Sequence, residues 1–330
     1  MTRADYDVIG IGNAIVDVLS HADEAFLAAN GIEKGGMTLI DTARAEALYA
    51  RMGPGLEISG GSAANTMAGI ASLGGRAAYV GKVRNDQLGE VFAHDIRAAG
   101  VRFTTPPATS GAPTARCLIL VTADAQRSMN TFLGACVDLG PEDVDEAEIA
   151  AAAVTYLEGY LWDPPRAKAA FLKAAAVAHA AGRQVALSLS DAFCVHRYRR
   201  EFLDLVSGHI DILFANETEI LALFETASFD DAVAAVRATG TMAVLTRGAA
   251  GASVVTREDV VSVPAAPVAR VVDTTGAGDL FAAGFLYGHT NGASVERSAR
   301  IGAIAAAEII SHVGARPEVP LAGLLARSPA

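Results

Sequence analysis

The chain of 330 residues has few cysteines and no long apolar run. The three cysteines, Cys117, Cys136 and Cys194, form no CxxC pair, and an odd number leaves at least one unpaired, so reduced thiols are expected. No apolar segment reaches about 18 residues without a charge or a turn residue, which argues against a membrane span. The N-terminus lacks the basic and apolar stretches of a signal peptide. Together these absences predict a cytoplasmic protein.

Positive charge is also scarce. Lys and Arg total 26 against 37 Asp and Glu, which gives a formal net charge of -11. No run of Lys or Arg follows the pattern that tracks a phosphate backbone, so nucleic acid is not expected as a partner. The acidic balance still permits a small phosphate-bearing ligand, because phosphate sites are built locally from backbone N–H groups and metal ions.

Two nucleotide-binding motifs are missing. Gly10 and Gly12 follow a predicted first strand as in the dinucleotide fingerprint, but Ile15 occupies the third glycine position. The chain also has no GxxxxGK[ST] segment. Neither a dinucleotide-dependent oxidoreductase nor a P-loop enzyme is therefore indicated.

Apolar residues are abundant, at 52% of the chain, which is enough for a large core. From Pro141 onward, short apolar strands alternate with alanine-rich helices. Strands are predicted over 154–157, 185–189, 212–215 and 243–246, helices over 165–181, 229–239, 276–288 and 295–311, and a hairpin over 254–263. This alternation is typical of an α/β fold with a mostly parallel sheet covered by helices on both faces.

The first part of the chain is less regular. Residues 21–58 mix short apolar runs with glycines, which favours short strands and turns over long helices. Gly60 and Gly61 then precede an alanine-rich helix that ends at Leu73. Two more strands are predicted over 115–122 and 128–132.

The segment Asp273-Thr274-Thr275-Gly276-Ala277-Gly278-Asp279 carries the strongest chemical signal. It follows a β-branched stretch and precedes an apolar helical run. A glycine-rich turn at a helix N-terminus leaves free N–H groups and a favourable dipole for an anion. Asp279, in the first helical turn, is placed to take a proton from a hydroxyl group. The alternative is a glycine loop whose aspartate only caps the helix.

Five segments, in order, resemble the PfkB family of ribokinase-like carbohydrate kinases. The stretch Asp273 to Gly288 resembles the C-terminal signature of that family, and Gly60-Gly61-Ser62-Ala63-Ala64-Asn65 resembles its di-glycine signature. The other matching elements are Gly12-Asn13 with Asp17, Asn216-Glu217-Thr218-Glu219, and Thr246-Arg247-Gly248 with Gly251. The resemblance spans residues 1–330 as one α/β kinase domain and implies a small β-sheet lid built from parts of 14–58 and 105–135.

The resemblance assigns roles to matching positions. Asp279 matches the base that deprotonates the acceptor hydroxyl, and the N–H groups of Gly276, Ala277 and Gly278 match the anion hole. The acceptor would be bound by Asn13, Asp17, Gly60, Gly61 and Asn65, with the two glycines acting as the lid hinge. Alternative interpretations are a solvated loop carboxylate for Asp17, a helix-interior residue for Asn65 and a plain tight turn for Gly60-Gly61.

The resemblance also implies ATP and Mg²⁺ as cofactors. Asn216 and Glu219 would support the phosphates, with Glu219 reaching magnesium through water; the alternative is a helix-capping pair. Thr246, Arg247, Gly248 and Gly251 would contact the phosphates and ribose of ATP, unless they form only a surface hairpin loop. Asp273, Thr275 and the turn ending at Gly314 would hold a monovalent cation such as K⁺.

Within this family the chain resembles the adenosine-kinase-like branch more than ribokinase. Phe132, in Ser128-Met129-Asn130-Thr131-Phe132-Leu133-Gly134-Ala135, would stack on a purine or else belong to the core of the lid sheet. The predicted function is ATP-dependent phosphorylation of the 5′-hydroxymethyl group of a nucleoside, with adenosine first and a ribokinase- or fructokinase-type sugar substrate as the alternative. A third possibility is a non-catalytic protein that binds ligands on the same fold. Either a monomer or a homodimer is compatible with the sequence.

Overall fold

The computed structural model describes residues 4–124 and 126–327. Residues 1–3, 125 and 328–330 of the predicted domain lie outside the described residues. In chain order the strands are β1 Tyr6–Ile11, β2 Ile15–His21, β3 Met37–Leu39, β4 Gly55–Gly60, β5 Ala77–Val80, β6 Arg102–Phe103, β7 Ala115–Val121, β8 Arg127–Phe132, β9 Ala152–Glu158, β10 Gln184–Ser188, β11 Ile212–Asn216, β12 Met242–Thr246, β13 Ala252–Val255 and β14 Val260–Val263.

The helices follow the same order. They are α1 Glu24–Ala29, α2 Thr42–Tyr49, α3 Ser62–Ser72, α4 Gln87–Ala98, α5 Glu146–Ala151, α6 Pro165–Ala180, α7 Ala192–Gly208, α8 Glu217–Phe224, α9 Phe229–Thr239, α10 Ala277–Thr290, α11 Val295–Ile309 and α12 Leu321–Arg327. None of the helices in the described ranges combines the length and the apolar character that a bilayer crossing requires. The three cysteines are free thiols.

The large sheet has the order β14-β13-β12-β11-β10-β9-β1-β5-β6 in the described chain. Its strands are parallel from β12 to β6, and β13 and β14 add an antiparallel hairpin at one edge. Alternate residues of the strands enter different cores: Val8 packs with α3, α10 and α11, whereas Ile9 packs with α6 and α7. Helices therefore cover both faces, as the alternating pattern predicts.

A second, smaller sheet has the order β3-β8-β7-β2-β4. It pairs β2 with β7 and β3 with β8 in parallel, and β2 with β4 and β7 with β8 antiparallel. Its strands come from 15–60 and 115–132, and β4 ends at Gly60, two residues beyond the segment 14–58 expected to contribute to a lid.

The expectation of strands and turns over residues 21–58 was incomplete, because two short helices lie there. The Asp23 carboxylate accepts a hydrogen bond from the Phe26 N–H at the start of α1, and Asp41 accepts one from Arg44 N–H at the start of α2. An aspartate before a helix satisfies an N–H group that the first turn leaves free. The helices thus begin at local capping signals between glycine-rich turns.

Candidate active site

The polar site lies where parallel strands of the large sheet end. Asn13 follows β1, and Glu158 ends the neighbouring strand β9, since Ile11 pairs with Leu157. Asn216 and Thr246 end β11 and β12 opposite each other. Ligands of open α/β sheets bind beyond these carboxyl ends. Asn13, Asn216 and Thr246, three of the predicted site residues, therefore lie along one edge.

The N-terminus of α10 faces this edge without a side-chain cap in the described residues. Gly276 precedes the helix at φ 78°, and an added Cβ would lie 3.0 Å from Ala315 Cβ. Ala277 N–H donates to the Thr274 carbonyl oxygen at 3.2 Å, so this amide of the predicted anion hole is already used in the turn. The N–H groups next to it, at Gly276, Gly278 and Asp279, lie at the helix start, where no preceding turn of α10 supplies a carbonyl partner.

Asp279 is held by two side chains from the start of α3. Ser62 Oγ donates to Asp279 Oδ1 at 2.6 Å, and Asn65 Nδ2 donates to Asp279 Oδ2 at 2.9 Å. Burial raises the pKa of the Asp279 carboxyl, while the hydrogen bonds from Ser62 and Asn65 and the charge of Arg316 oppose that rise. A carboxylate with a raised pKa is a stronger proton acceptor at neutral pH.

Asp17 lies in the small sheet, and not in a loop as the alternative interpretation of the sequence had it. It is the third residue of β2, where side chains alternate between the two faces of the sheet. The described residues form no hydrogen bond with its carboxylate, so its oxygens are available to acceptor hydroxyl groups. Burial raises the pKa of Asp17 to about 7, which the charges of Arg316 and Arg127 partly oppose.

Glu158, which the sequence analysis missed, joins the two halves of the acceptor site. Its Oε1 accepts hydrogen bonds from Asn13 Nδ2 at 2.7 Å and from Asn13 N at 3.3 Å, and its Oε2 accepts one from Ala63 N at 2.8 Å. Burial raises the pKa of Glu158 to about 7. The strand-end position of a lone glutamate was the only signal in the sequence.

Gly60 and Gly61 connect the small sheet to α3. Gly61 has φ 96°, and an added Cβ would lie 2.1 Å from the Asn13 carbonyl oxygen. At Gly60 an added Cβ would lie 2.3 Å from Asp17 Oδ2. Gly61 requires glycine for its backbone conformation, and at both positions a side chain would lack space.

Arg127, also missed by the sequence analysis, reaches from β8 to the loop before α10. Its Nη2 lies 2.9 Å from Asp273 Oδ2, and its Nη1 donates to Thr275 Oγ1 at 3.4 Å. The Asp273 carboxylate also accepts hydrogen bonds from Thr275 N at 3.0 Å and Gly314 N at 3.0 Å. One carboxylate, that of Asp273, thus brings together the predicted cation-site positions, which are Asp273, Thr275 and Gly314.

Asn216 and Glu219 form a capping box at the start of α8. Asn216 Oδ1 accepts from Glu219 N, and the Glu219 carboxylate accepts from Asn216 N at 2.9 Å and from Asn216 Nδ2 at 2.6 Å. Glu219 is buried, and burial raises its pKa to about 7. Both carboxylate oxygens are therefore engaged, which fits contact with Mg²⁺ through water better than direct ligation.

Thr246, Arg247, Gly248 and Gly251 form the turn between β12 and β13. An added Cβ at Gly251 would lie 2.1 Å from the Val263 carbonyl oxygen. The Arg247 guanidinium lies 3.0 Å from Glu217 Oε1 and 4.0 Å above the centre of the Phe229 ring. Because Glu217 offsets the charge of Arg247, the net positive charge that this turn offers to the phosphates of ATP is smaller than the sequence suggested.

Phe132 does not share a sheet face with Asp17. Strand pairing puts Asp17, Cys117 and Thr131 in one row and Arg116 and Phe132 in the next, with the opposite orientation. Phe132 is buried beneath the Arg116 guanidinium. This position favours the alternative interpretation, a core residue of the small sheet.

Two exposed aromatic side chains follow the strands beside the acceptor site. Tyr160 comes two residues after Glu158, and its N–H donates to Ser190 Oγ at 3.2 Å. Phe193 lies in the first turn of α7, after β10. Their exposed fractions are 39% and 65%, high for side chains with this much apolar surface.

The model of the pfkB family carbohydrate kinases matches residues 44–322. The chain belongs to the PfkB family of carbohydrate kinases. The adenosine kinase of Sinorhizobium meliloti superposes with a TM-score of 0.91 at 57% sequence identity, over 98% of this chain and 99% of that one. A probable sugar kinase from Rhizobium etli CFN 42 gives a TM-score of 0.91 at 53% identity, over 99% of each chain. Adenosine kinase of Saccharomyces cerevisiae is 27% identical over 93% of this chain and 95% of its own length.

As a PfkB-family member the chain is a kinase that transfers a phosphoryl group from ATP to a hydroxyl group. Its fold is the ribokinase-like α/β fold with a second small sheet. Both predictions are confirmed. The non-catalytic alternative loses its support, because the family is one of enzymes.

Proposed function

We propose that this PfkB-family kinase phosphorylates the 5′-hydroxymethyl group of a nucleoside, with adenosine and ATP as substrates and AMP and ADP as products. The observation that carries the proposal is the position of Asp279. Its carboxylate stands at the uncapped N-terminus of α10 and is held by Ser62 and Asn65, beside the acceptor-site residues of α3. A base for the hydroxyl and a positive helix end for the phosphoryl group thus adjoin.

In the proposed reaction, Asp279 accepts the proton of the acceptor hydroxyl group. The hydroxyl oxygen then bonds to the γ-phosphorus of ATP. The bond from that phosphorus to the β,γ-bridging oxygen breaks, and ADP leaves. The N–H groups of Gly276, Gly278 and Asp279 donate to the transferring phosphoryl oxygens. Positioning and charge stabilisation carry most of the rate in such transfers.

Asp17, Asn13 and Asn65 orient the acceptor in this proposal. The carboxylate of Asp17 accepts from vicinal hydroxyl groups, and the buried Asn65 Oδ1, which has no partner among the described residues, accepts a further one. Glu158 fixes Asn13 by accepting hydrogen bonds from its backbone N–H and from its side-chain Nδ2. A ribose ring presents hydroxyl groups of the type that these acceptors need.

The nucleoside is favoured over a free sugar by Tyr160 and Phe193. Exposed aromatic rings at the mouth of a polar site provide stacking surface for a nucleobase, which a free sugar lacks. The Sinorhizobium meliloti relative bears the name adenosine kinase. A sugar acceptor is the second candidate, because the Rhizobium etli relative bears the name probable sugar kinase.

The donor side of the site lies at the ends of β11 and β12. Asn216 and Thr246 face the ATP phosphates in this proposal, and Glu219 holds Mg²⁺ through water. Magnesium supplies neutralising charge on the phosphates when it is bound. The loop of Asp273 and Thr275 and the turn ending at Gly314 provide carbonyl oxygens for K⁺, with Asp273 tying the two segments together.

The small sheet acts as a lid that closes about Gly60-Gly61 in this proposal. Arg127 of the small sheet contacts the loop before α10. It thereby brings a positive charge from the lid to the place where the phosphoryl group is transferred. Closure excludes water, which would otherwise accept the phosphoryl group. One domain of residues 1–330, with the lid inserted, accommodates this motion.

The test is incubation of the purified protein with Mg-ATP and, separately, adenosine, inosine, ribose and fructose, with ADP release and the phosphorylated product measured. We expect AMP formation from adenosine at the highest kcat/KM. Preferential turnover of ribose or fructose would replace the nucleoside by a sugar. Tight binding of a nucleoside without ADP release would contradict the kinase proposal.

A further inference from the structure

Arg316 connects the C-terminal segment to the hinge. It lies two residues after Gly314, and its guanidinium donates to the Ser59 carbonyl oxygen from Nε at 3.0 Å and from Nη2 at 2.7 Å. Nη2 also donates to Ser59 Oγ at 2.9 Å, and Nη1 donates to the Ala64 carbonyl oxygen at 2.8 Å. Ser59 precedes Gly60-Gly61, and Ala64 lies in the first turn of α3. One side chain therefore binds the backbone on both sides of the hinge.

Ser59 is held from a second direction by α4. Asp95 Oδ2 accepts hydrogen bonds from Ser59 N and from Ser59 Oγ, each at 2.7 Å. The N–H, carbonyl and hydroxyl groups of Ser59 are all engaged, so the end of β4 is fixed to the body of the protein.

The segment of Arg316 also contacts the loop before α10. Gly314 N–H donates to Asp273 Oδ2 at 3.0 Å, and Ala315 packs against Gly276. Three consecutive residues, 314–316, thus contact the anion-binding turn on one side and the lid hinge on the other. Any displacement of this segment changes the spacing between the acceptor and phosphoryl sites.

The guanidinium of Arg316 has no carboxylate within ion-pair distance in the described part of the chain. The charged and titratable groups that face it are Asp95, Asp17, Tyr79 and Asp279. A partly buried charge without a contacting counter-ion costs stability, and a neutral donor would serve as well for backbone hydrogen bonds alone. The positive charge therefore points to a role in the site.

We propose that Arg316 is a positioning residue, which fixes the hinge against the anion-binding turn and places a positive charge beside Asp17 and Asp279 of the acceptor site. The proposal rests on the proposed function, because it assigns Asp279 the role of base. Arg316 lowers the pKa of both carboxyl groups against the effect of burial. Arg127 also lowers the pKa of Asp17. The other titratable groups that face Asp279 carry no positive charge; they are Tyr156, Glu158 and Tyr160.

The experiment compares Arg316→Met and Arg316→Lys with Arg183→Met, a control arginine whose Nε bonds the Ala150 carbonyl oxygen away from the site. For each protein, kcat and KM for the acceptor and for ATP are measured from pH 5.5 to 9. Amide hydrogen exchange of the segment 55–65 is measured without substrates. Thermal unfolding of each variant shows whether a change in activity comes from a loss of folded protein.

We expect Arg316→Met to raise the acceptor KM about tenfold, to leave the ATP KM nearly unchanged, and to move the acid limb of kcat/KM up by about one pH unit. Arg316→Lys should retain the wild-type acid limb, because the charge remains, but should raise the acceptor KM and speed exchange at the hinge. Arg183→Met should match the wild type in all three measurements.

A lower melting temperature with an unchanged acceptor KM and pH profile would make Arg316 merely structural and overturn the proposal. Unchanged hinge exchange in Arg316→Met would overturn it as well. A wild-type protein inactive towards every acceptor would instead defeat the proposed function, and the exchange measurement would still report whether Arg316 fixes the hinge.

Discussion

Ser62 Oγ donates a hydrogen bond to Asp279 Oδ1 at 2.6 Å, across 217 residues of sequence. Ser62 is the first residue after Gly60-Gly61, so the side chain that contacts the proposed base is directly connected to the hinge. In the proposed lid closure about Gly60-Gly61, the movement would reach Asp279 through this hydrogen bond and the one from Asn65. The acceptor site and the base are mechanically linked at the start of α3.

Ser62→Ala removes that hydrogen bond without changing the charge of the site. The bond lowers the pKa of Asp279, so its loss should raise that pKa. Since the base acts in its deprotonated form, the acid limb of kcat/KM should move to higher pH, and kcat near neutral pH should fall about tenfold. Steady-state kinetics across pH measure both effects. Ser207→Ala, at an exposed position of α7, is the control, and equal pH profiles for the two variants would contradict the link.

Asp279→Asn tests the base itself. The amide retains most of the shape of the carboxylate but cannot accept the hydroxyl proton, so kcat should fall about 10²- to 10⁴-fold. The KM for ATP should change little, because the proposed phosphate contacts are backbone N–H groups. Asp204→Asn, in an exposed part of α7, is the matched control. If Asp279→Asn kept most of its turnover, another group would have to remove the proton.

Local patterns in the sequence were enough to predict the large sheet and the α10 turn. The alternation of short strands with helices gave the parallel sheet, and the glycine-rich stretch before Asp279 gave an uncapped helix start. The structure contains the capping pair at the start of α8 that was the alternative interpretation of the spacing of Asn216 and Glu219. Each of these features depends on residues close together in the chain.

Contacts between distant segments could not be predicted in this way. Glu158 meets Asn13, Arg127 meets Thr275 and Arg316 meets Ser59, each across more than a hundred residues. None of the three stands in a distinctive local pattern. Asp17 is different, because the alternating segment from Ile15 to His21 did carry a strand signal. The short helices α1 and α2 were not predicted, although a capping aspartate, Asp23 or Asp41, precedes each of them.

Gly60→Ala tests how tightly the hinge packs against the acceptor site. An added Cβ would lie 2.3 Å from Asp17 Oδ2, so the carboxylate must move. We expect the acceptor KM to rise at least about tenfold, while the ATP KM stays within about twofold, because a displacement of about 1 Å is costly at a reacting site. Gly323→Ala, where an added Cβ meets open space, is the control. Equal effects on both substrates would show that the change is not confined to the acceptor site.

Asp17→Asn should separate stability from activity. Burial raises the pKa of Asp17 to about 7 in the folded protein, against a usual value of 3.8. The folded state therefore binds this proton more tightly than the unfolded chain, and the contribution of Asp17 to stability falls as pH rises from about 4 to 7. Above that window the ionised carboxylate opposes folding, whereas the neutral amide does not.

At pH 8 and without substrates, Asp17→Asn should therefore have a free energy of unfolding higher than the wild type by up to about 2–4 kcal/mol. The difference should disappear below about pH 4, where the carboxyl is protonated in both states. The same variant should bind the acceptor poorly. A carboxylate accepts hydroxyl donors at both of its oxygens, whereas an amide accepts only at its oxygen and donates from its nitrogen. Urea unfolding at several pH values measures the first effect, and Asp204→Asn should show no such pH dependence. A variant less stable than the wild type at pH 8 would mean that bound water or Arg316 already compensates the Asp17 charge.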